Sequence, residues 1–120
     1  MTLFTKSIQA KIDKKDGIRI CIMRRPNKEA DFNIWMPVLA PSNKLLDDIH
    51  AKKINWSEYV RRFTKEVLIG QRRFLKLVTE IALKHDVTLL CWEKSPKKCH
   101  RRLVAKACKK INSDLKVVLK

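Results

Sequence analysis

Between Cys91 and Arg101 the chain reads CWEKSPKKCHR, placing two thiols, a carboxylate, an imidazole and a guanidinium within eleven residues. These are the side chains of nucleophilic and acid–base chemistry. Cys91 could serve as nucleophile or redox thiol, with Cys99 a second thiol beside it. Glu93 could act as the acid or base, His100 as a proton carrier and Arg101 as an anion clamp. From Glu93 to Lys110 there are eight Lys or Arg residues and one acid. Cations and a helix N-terminus both stabilise a thiolate, lowering its pKa below the free value of about 8.5. The same field would hold a phosphate. Taken singly, each residue has a plainer reading: Cys91 ends a core strand, Glu93 is a solvated loop acid, and His100 is a satisfied core histidine. No fold requires the whole set at one turn, and the conjunction marks the segment.

A metal site is the competing chemistry. Cys91, Glu93, Cys99 and His100 carry suitable donor atoms. However, Cys99 and His100 are adjacent, which makes joint tetrahedral ligation awkward, and the chain has no CxxC pair. The zinc deaminase spacing is also missing. We therefore assign no metal ligand from the sequence.

The elements around the segment position it. Gly17–Met23 (GIRICIM) alternates Ile18, Ile20 and Ile22 with other residues after an Asp-Gly turn, which predicts a strand. Leu3–Ala10 is a first strand or an irregular lead-in. Arg24-Arg25-Pro26 leaves the second strand, and Phe32–Pro41, with two prolines, reads as a packed loop. Helices are expected from Ser42, from Trp56-Ser57 and after Gly70, the last ending near Lys84-His85. Val87–Cys91 (VTLLC) is a short apolar run of the kind buried on both sheet faces. Ser95-Pro96 then predicts the N-cap and first residue of a helix running to about Ile111. Leu115–Leu119 closes the chain as a strand. This order is that of an α/β fold: a single three-layer α/β/α domain over residues 1–120, Rossmann-like, with a largely parallel sheet. Ligands in such sheets bind beyond the carboxyl ends of strands, where Cys91 falls.

Composition bounds the rest. The 120 residues suffice for one core, and no apolar run approaches the ~20 residues of a membrane helix. The start of the chain lacks the pattern of a signal peptide, so a cytoplasmic protein with free thiols is expected rather than a disulfide scaffold. The short apolar runs give no membrane partner, while Lys and Arg number 28 against 12 acids, a formal charge of +16, which points to nucleic acid or another phosphate-bearing ligand. Gly17 and Gly70 are the only glycines, so neither GxGxxG nor a Walker loop can be built. The strand–Cys–loop–helix layout is similar to that of cysteine phosphatases and rhodaneses. It departs from the phosphatase pattern because Lys97 stands where an arginine is expected and the loop has no glycine.

CWEKSPKKCHRRL resembles the Cys-x-Glu and Cys-His-Arg signature of the domain-of-unknown-function 488 family. DGIRICIMRRP is similar to that family's early strand ending in arginine, and FNIWMPVLAPSNKLL to its aromatic-Trp-x-Pro-x-Leu-Ala-Pro-Ser segment. INWSEYVRRFTKEV resembles its Trp-centred helix and VTLLCWE the strand before the site, so the likeness runs from Phe4 to Leu103. The resemblance implies a compact α/β/α domain and a site built from Cys91, Glu93, Cys99, His100 and Arg101. Arg24 or Arg25 would form a second, anion-binding wall. Three functional readings follow: an enzyme acting on a phosphate-bearing substrate such as a nucleotide or nucleic acid, a non-catalytic nucleic-acid-binding module, or a Cys/His metal protein.

Overall fold

Five strands pair in the order β3-β2-β4-β1-β5 in the computed structural model, which describes residues 1–120. They are β1 (Thr2–Ser7), β2 (Ile18–Cys21), β3 (Ile34–Trp35), β4 (Val87–Cys91) and β5 (Lys116–Val118). Every pair is parallel. The helices are α1 (Asn43–His50), α2 (Trp56–Phe63), α3 (Arg72–Lys84) and α4 (His100–Ile111). A π-helical turn, Thr64–Ile69, extends α2 toward Gly70. This is the expected α/β domain with a parallel sheet and Rossmann-like order. No helix is long and apolar enough to cross a membrane.

The register fixes which residues share a face. Leu3 pairs with Val87 and Thr5 with Leu89, while Ile18 and Ile20 pair with the same two β4 residues. With a side-chain period of two, Leu3, Ile20, Ile22, Val87 and Leu89 form one apolar face. All four helices add to that same cluster, through Leu45, Phe63, Val78 and Val104 among others. The opposite face is covered differently. There Lys6, Arg19 and Thr88 converge on Asp16, within a single 3-10 turn (Lys14–Asp16) of the β1–β2 connection. The third layer is thus thin: a loop with one helical turn. Gly17 ends that turn at φ 65°, a backbone region closed to most side chains, and lies directly on the Asp86 carbonyl. An added Cβ would drive β2 away from β4.

Two local expectations change. Phe32–Pro41 is not wholly loop, because Ile34-Trp35 adds an edge strand and Pro37–Leu39 forms a 3-10 turn. The edge forms because the backbone N–H groups of Asn33 and Met36 donate to the carbonyls of Arg19 and Cys21. The last helix begins at His100 with Cys99 as N-cap, four residues later than Ser95-Pro96 suggested. Ser95 does cap, but only a short turn, accepting from the Lys97 N–H at 3.3 Å.

The strand order opens a crevice. From β2 the chain moves outward to β3, whereas from β4 it crosses β1 to reach β5 on the other side. The connections leaving these two neighbours diverge at their carboxyl ends, the place where open α/β sheets accept ligands.

Candidate functional site

A cleft of ≈ 560 Å³ occupies that crevice, within the size range of small-ligand sites. One wall is the exit of β2, with Arg24 and Arg25; the facing wall is the β4–α4 connection, with Trp92, Glu93 and Lys98. Cys99 and His100 line it from the start of α4. Helices α1 and α2 complete it with apolar side chains and two aromatic rings, Trp56 and Tyr59.

The aromatic rings form a continuous stack. Trp56 and Tyr59 lie 4.8 Å apart with planes 13° from parallel, and Tyr59 and Phe63 lie 5.9 Å apart at 7°. Phe63 then meets the His100 ring at 5.6 Å, tilted. The W-x-x-Y-x-x-x-F spacing puts these rings on one face of α2. That spacing is the signal the sequence offers for a cleft wall, although it marks a packed core face equally well. Burial, and then the nearby Glu93 and Glu66 carboxylates, push the Tyr59 phenol upward, so it stays protonated. Trp92 is half exposed, but its backbone is pinned. Its carbonyl accepts from Ser7 Oγ at 3.1 Å, at the end of β1, and from Gln9 Nε2 at 2.8 Å, in the turn after it.

His100 is buried, and its Nε2–H donates to the Ile22 carbonyl at 2.6 Å. That bond leaves Nδ1 unprotonated, 4.0 Å from Cys99 Sγ. Burial lowers the His100 pKa to about 4; the Ile22 carbonyl pulls it upward and the Arg101 charge pushes it down again. At neutral pH the ring is neutral, with Nδ1 facing Cys99 as an open acceptor. A histidine neutral in the fold and free to charge when unfolded makes stability pH-dependent, with the unfolded chain binding the extra proton below about pH 6.5. Its contribution is complete above that pH and falls by about 3 kcal/mol as the pH drops to about 4. Urea midpoints at pH 7 and pH 4.5 should show this loss in the native sequence and a much smaller one in His100→Gln. Equal slopes would remove His100 as its source.

Cys91 and Cys99 are joined as a disulfide, eight residues apart. This differs from the expectation of four free thiols, which holds for Cys21 and Cys108. The reason is positional: the β4 end and the α4 N-cap abut, with each cysteine at the boundary of its element. Burial raises the Cys21 thiol and lifts Cys108 to about 11, so both are inert core residues. The donor atoms of Cys91, Cys99 and His100 lie within 4.8 Å of one another, a cluster compact enough to bind a ligand or a metal once the disulfide is reduced. Both cysteines are buried, and of the two Cys99 lines the cleft and Cys91 does not.

Arg101 does not line the cleft. It is 0% exposed, and its guanidinium faces the interior of the β4–α4 connection. Nη1 donates to Cys91 Sγ at 3.2 Å and to the Glu93 carbonyl at 2.7 Å. Nη2 donates to the carbonyls of Lys94, at 3.3 Å, and Lys120, at 3.1 Å. Nε has no partner. Burial lowers the Arg101 pKa, with the Glu93 charge opposing. This guanidinium explains the late start of α4, because it gathers the loop carbonyls that a helix from Ser95 would have left elsewhere. Of the other two arginines, Arg24 donates Nε–H to the Pro41 carbonyl at 3.1 Å and bonds nothing through its Nη groups. Arg25 is exposed and engaged with Asn43 and Asp47 of α1. The structure therefore gathers Glu93, Cys99, His100, Arg24 and Arg25 around one cleft, with Cys91 and Arg101 beneath it.

The chain matches no curated protein and no solved structure. A family model does match, over residues 3–111: DUF488-N3a, described as the active DUF488-N3 subclade. That span takes in all five candidate residues between Cys91 and Arg101 as well as both walls of the cleft, and the chain belongs to this DUF488-N3a family.

Proposed function

We propose that the cleft binds a phosphate-bearing ligand, a nucleotide or a nucleotide unit of nucleic acid, and that Cys99, His100 and Glu93 act on it. One observation carries this reading: a single cleft joins aromatic rings that can stack a base to cations that can hold its phosphate, with a cysteine and a neutral histidine between them. Trp56 and Trp92 supply the stacking surfaces. Arg24 and Lys98, with the N–H groups opening α4, supply the anion site. In the reduced protein His100 Nδ1 can accept the Cys99 thiol proton, making Cys99 the nucleophile. Glu93, on the same wall, is the remaining acid or base. Arg101 holds the loop and does not touch the ligand. The word "active" in the family description supports catalysis.

Calorimetry with a nucleoside 5′-monophosphate, the matching nucleoside and inorganic phosphate tests the reading. The monophosphate should bind best, and Trp56→Ala and Arg24→Ala should each weaken it by about tenfold. Binding of the nucleoside as tight as that of the monophosphate would remove the anion site. The charge of +16 favours a second reading, a nucleic-acid-binding module whose contacts lie mainly outside the cleft. In that case oligonucleotide affinity falls steeply with salt and is unchanged in both variants.

A further inference from the structure

We infer that Cys91 and Cys99 form a dithiol–disulfide exchange centre, in which Cys99 meets thiols or disulfides in the cleft and Cys91 leaves as a thiolate onto Arg101. The inference does not rest on the nucleotide reading, since the exchange needs the cleft only as an entrance.

The placement of Arg101 carries it. A fully buried guanidinium is costly unless its charge is met, and no side-chain carboxylate bonds this one. Its Nη1 edge is aimed at Cys91 Sγ, and its Nε–H is unused. In the disulfide that sulfur is neutral and a weak acceptor. Once the bond opens, Cys91 becomes an anion beside the guanidinium that already donates to its sulfur. A cation at that distance stabilises a thiolate, and a stabilised thiolate is the better leaving group. The layout also fixes the order of events. Cys99 borders the cleft and Cys91 does not, so an incoming sulfur reaches Cys99 with Cys91 behind it.

The thiolate of a low-molecular-weight or protein thiol attacks Cys99 Sγ, forming a mixed disulfide and breaking the Cys91–Cys99 bond, whose electron pair leaves on Cys91. A second thiolate attacks the outer sulfur of the mixed disulfide, releasing the oxidised thiol as its disulfide and freeing Cys99. Cys99 takes one proton, and Cys91 remains as the thiolate against Arg101. Two electrons pass from the thiols to the protein. In reverse, the dithiol reduces an incoming disulfide.

The test uses the whole protein, without nucleotide, equilibrated in glutathione buffers from fully reduced to fully oxidised. Acid quenching, denaturation and alkylation are followed by mass spectrometry. Cys91 and Cys99 should change together as one two-electron couple, with Cys21 and Cys108 alkylated throughout. Cys91→Ser should trap glutathione on Cys99, whereas Cys99→Ser should take up little. Arg101→Met should shift the equilibrium toward the disulfide by about tenfold or more, and Arg101→Lys by less. If Arg101→Met does not fold by circular dichroism, the two cysteine variants decide alone. Independent titration of the two cysteines, trapping on Cys91 rather than Cys99, or a folded Arg101→Met with the parent's equilibrium would each overturn the assignment.

Discussion

Replacing Arg101 by methionine is expected to lower the unfolding free energy by about 3–5 kcal/mol, although it removes a buried charge. The sign has to be argued, because exchanging buried ionic groups for apolar ones is often neutral or stabilising. That outcome requires both partners to be replaced. Here three of the four partners are backbone carbonyls, of Glu93, Lys94 and Lys120, which no side-chain substitution removes. Four bonds from a charged donor, at roughly 1.5–3 kcal/mol each, outweigh the several kcal/mol recovered by no longer desolvating the guanidinium. Water can reach the partly exposed loop and replace some bonds, which keeps the net loss at the lower figure. Urea unfolding should show it as a reduced midpoint. Hydrogen exchange should place the loosening in the Trp92–Cys99 connection, with α3 protected as before. A midpoint at or above the parent's would mean that Arg101 is a tolerated charge and not the loop's anchor.

This residue also marks the limit of what the sequence discloses. Val87–Cys91 was legible because a short apolar run between helices has one good place, the middle of a parallel sheet, and all five residues are buried. Ile18, Ile20 and Ile22 were legible through their period of two. These strands alone locate the site at a strand end beside a helix start. Ser95-Pro96 misplaced that start because capping is a local signal and Arg101 acts through tertiary bonds to carbonyls, which leave no trace in residue identity. The same applies to the role of Arg101. Beside Cys99 and His100 it reads as part of the ligand site, yet at the second position of α4 it points inward under the loop while its neighbours face the cleft. Trp56 and Tyr59 were hidden by a different ambiguity, since an aromatic stripe at helical spacing serves a core and a cleft wall equally well. The thin third layer was the least visible. Its content is a polar network of Lys6, Asp16 and Arg19 within the β1–β2 segment, which no apolar periodicity marks.

That network sets the second large effect. Asp16→Ala should cost about 3–5 kcal/mol, the usual result of removing one partner from a buried ion pair and leaving the other charged. The Asp16 carboxylate is 6% exposed and accepts from Lys6, from Arg19 and from the Asp13 N–H, while its own carbonyl accepts from Thr88 Oγ1 at 2.6 Å. Removing it strands two cations against the face of β1, β2 and β4. The pH dependence gives an independent check. Burial pushes the Asp16 carboxyl upward, but the bonds from Lys6, Asp13 and Arg19 outweigh it and hold the folded value below the ordinary one. A depressed carboxylate stabilises above the unfolded pKa of about 3.9 and loses that contribution as the pH falls through the folded value. Parent and variant should therefore differ most at neutral pH and converge in strong acid. The damage should also reach the cleft from the opposite side of the sheet, because β2 and β4 are the strands whose ends form its walls. In the variant, glutathione should attack Cys99 faster while the order of the two cysteines is kept. Parallel acid profiles with a constant gap would show that Asp16 acts through packing and not through its charge.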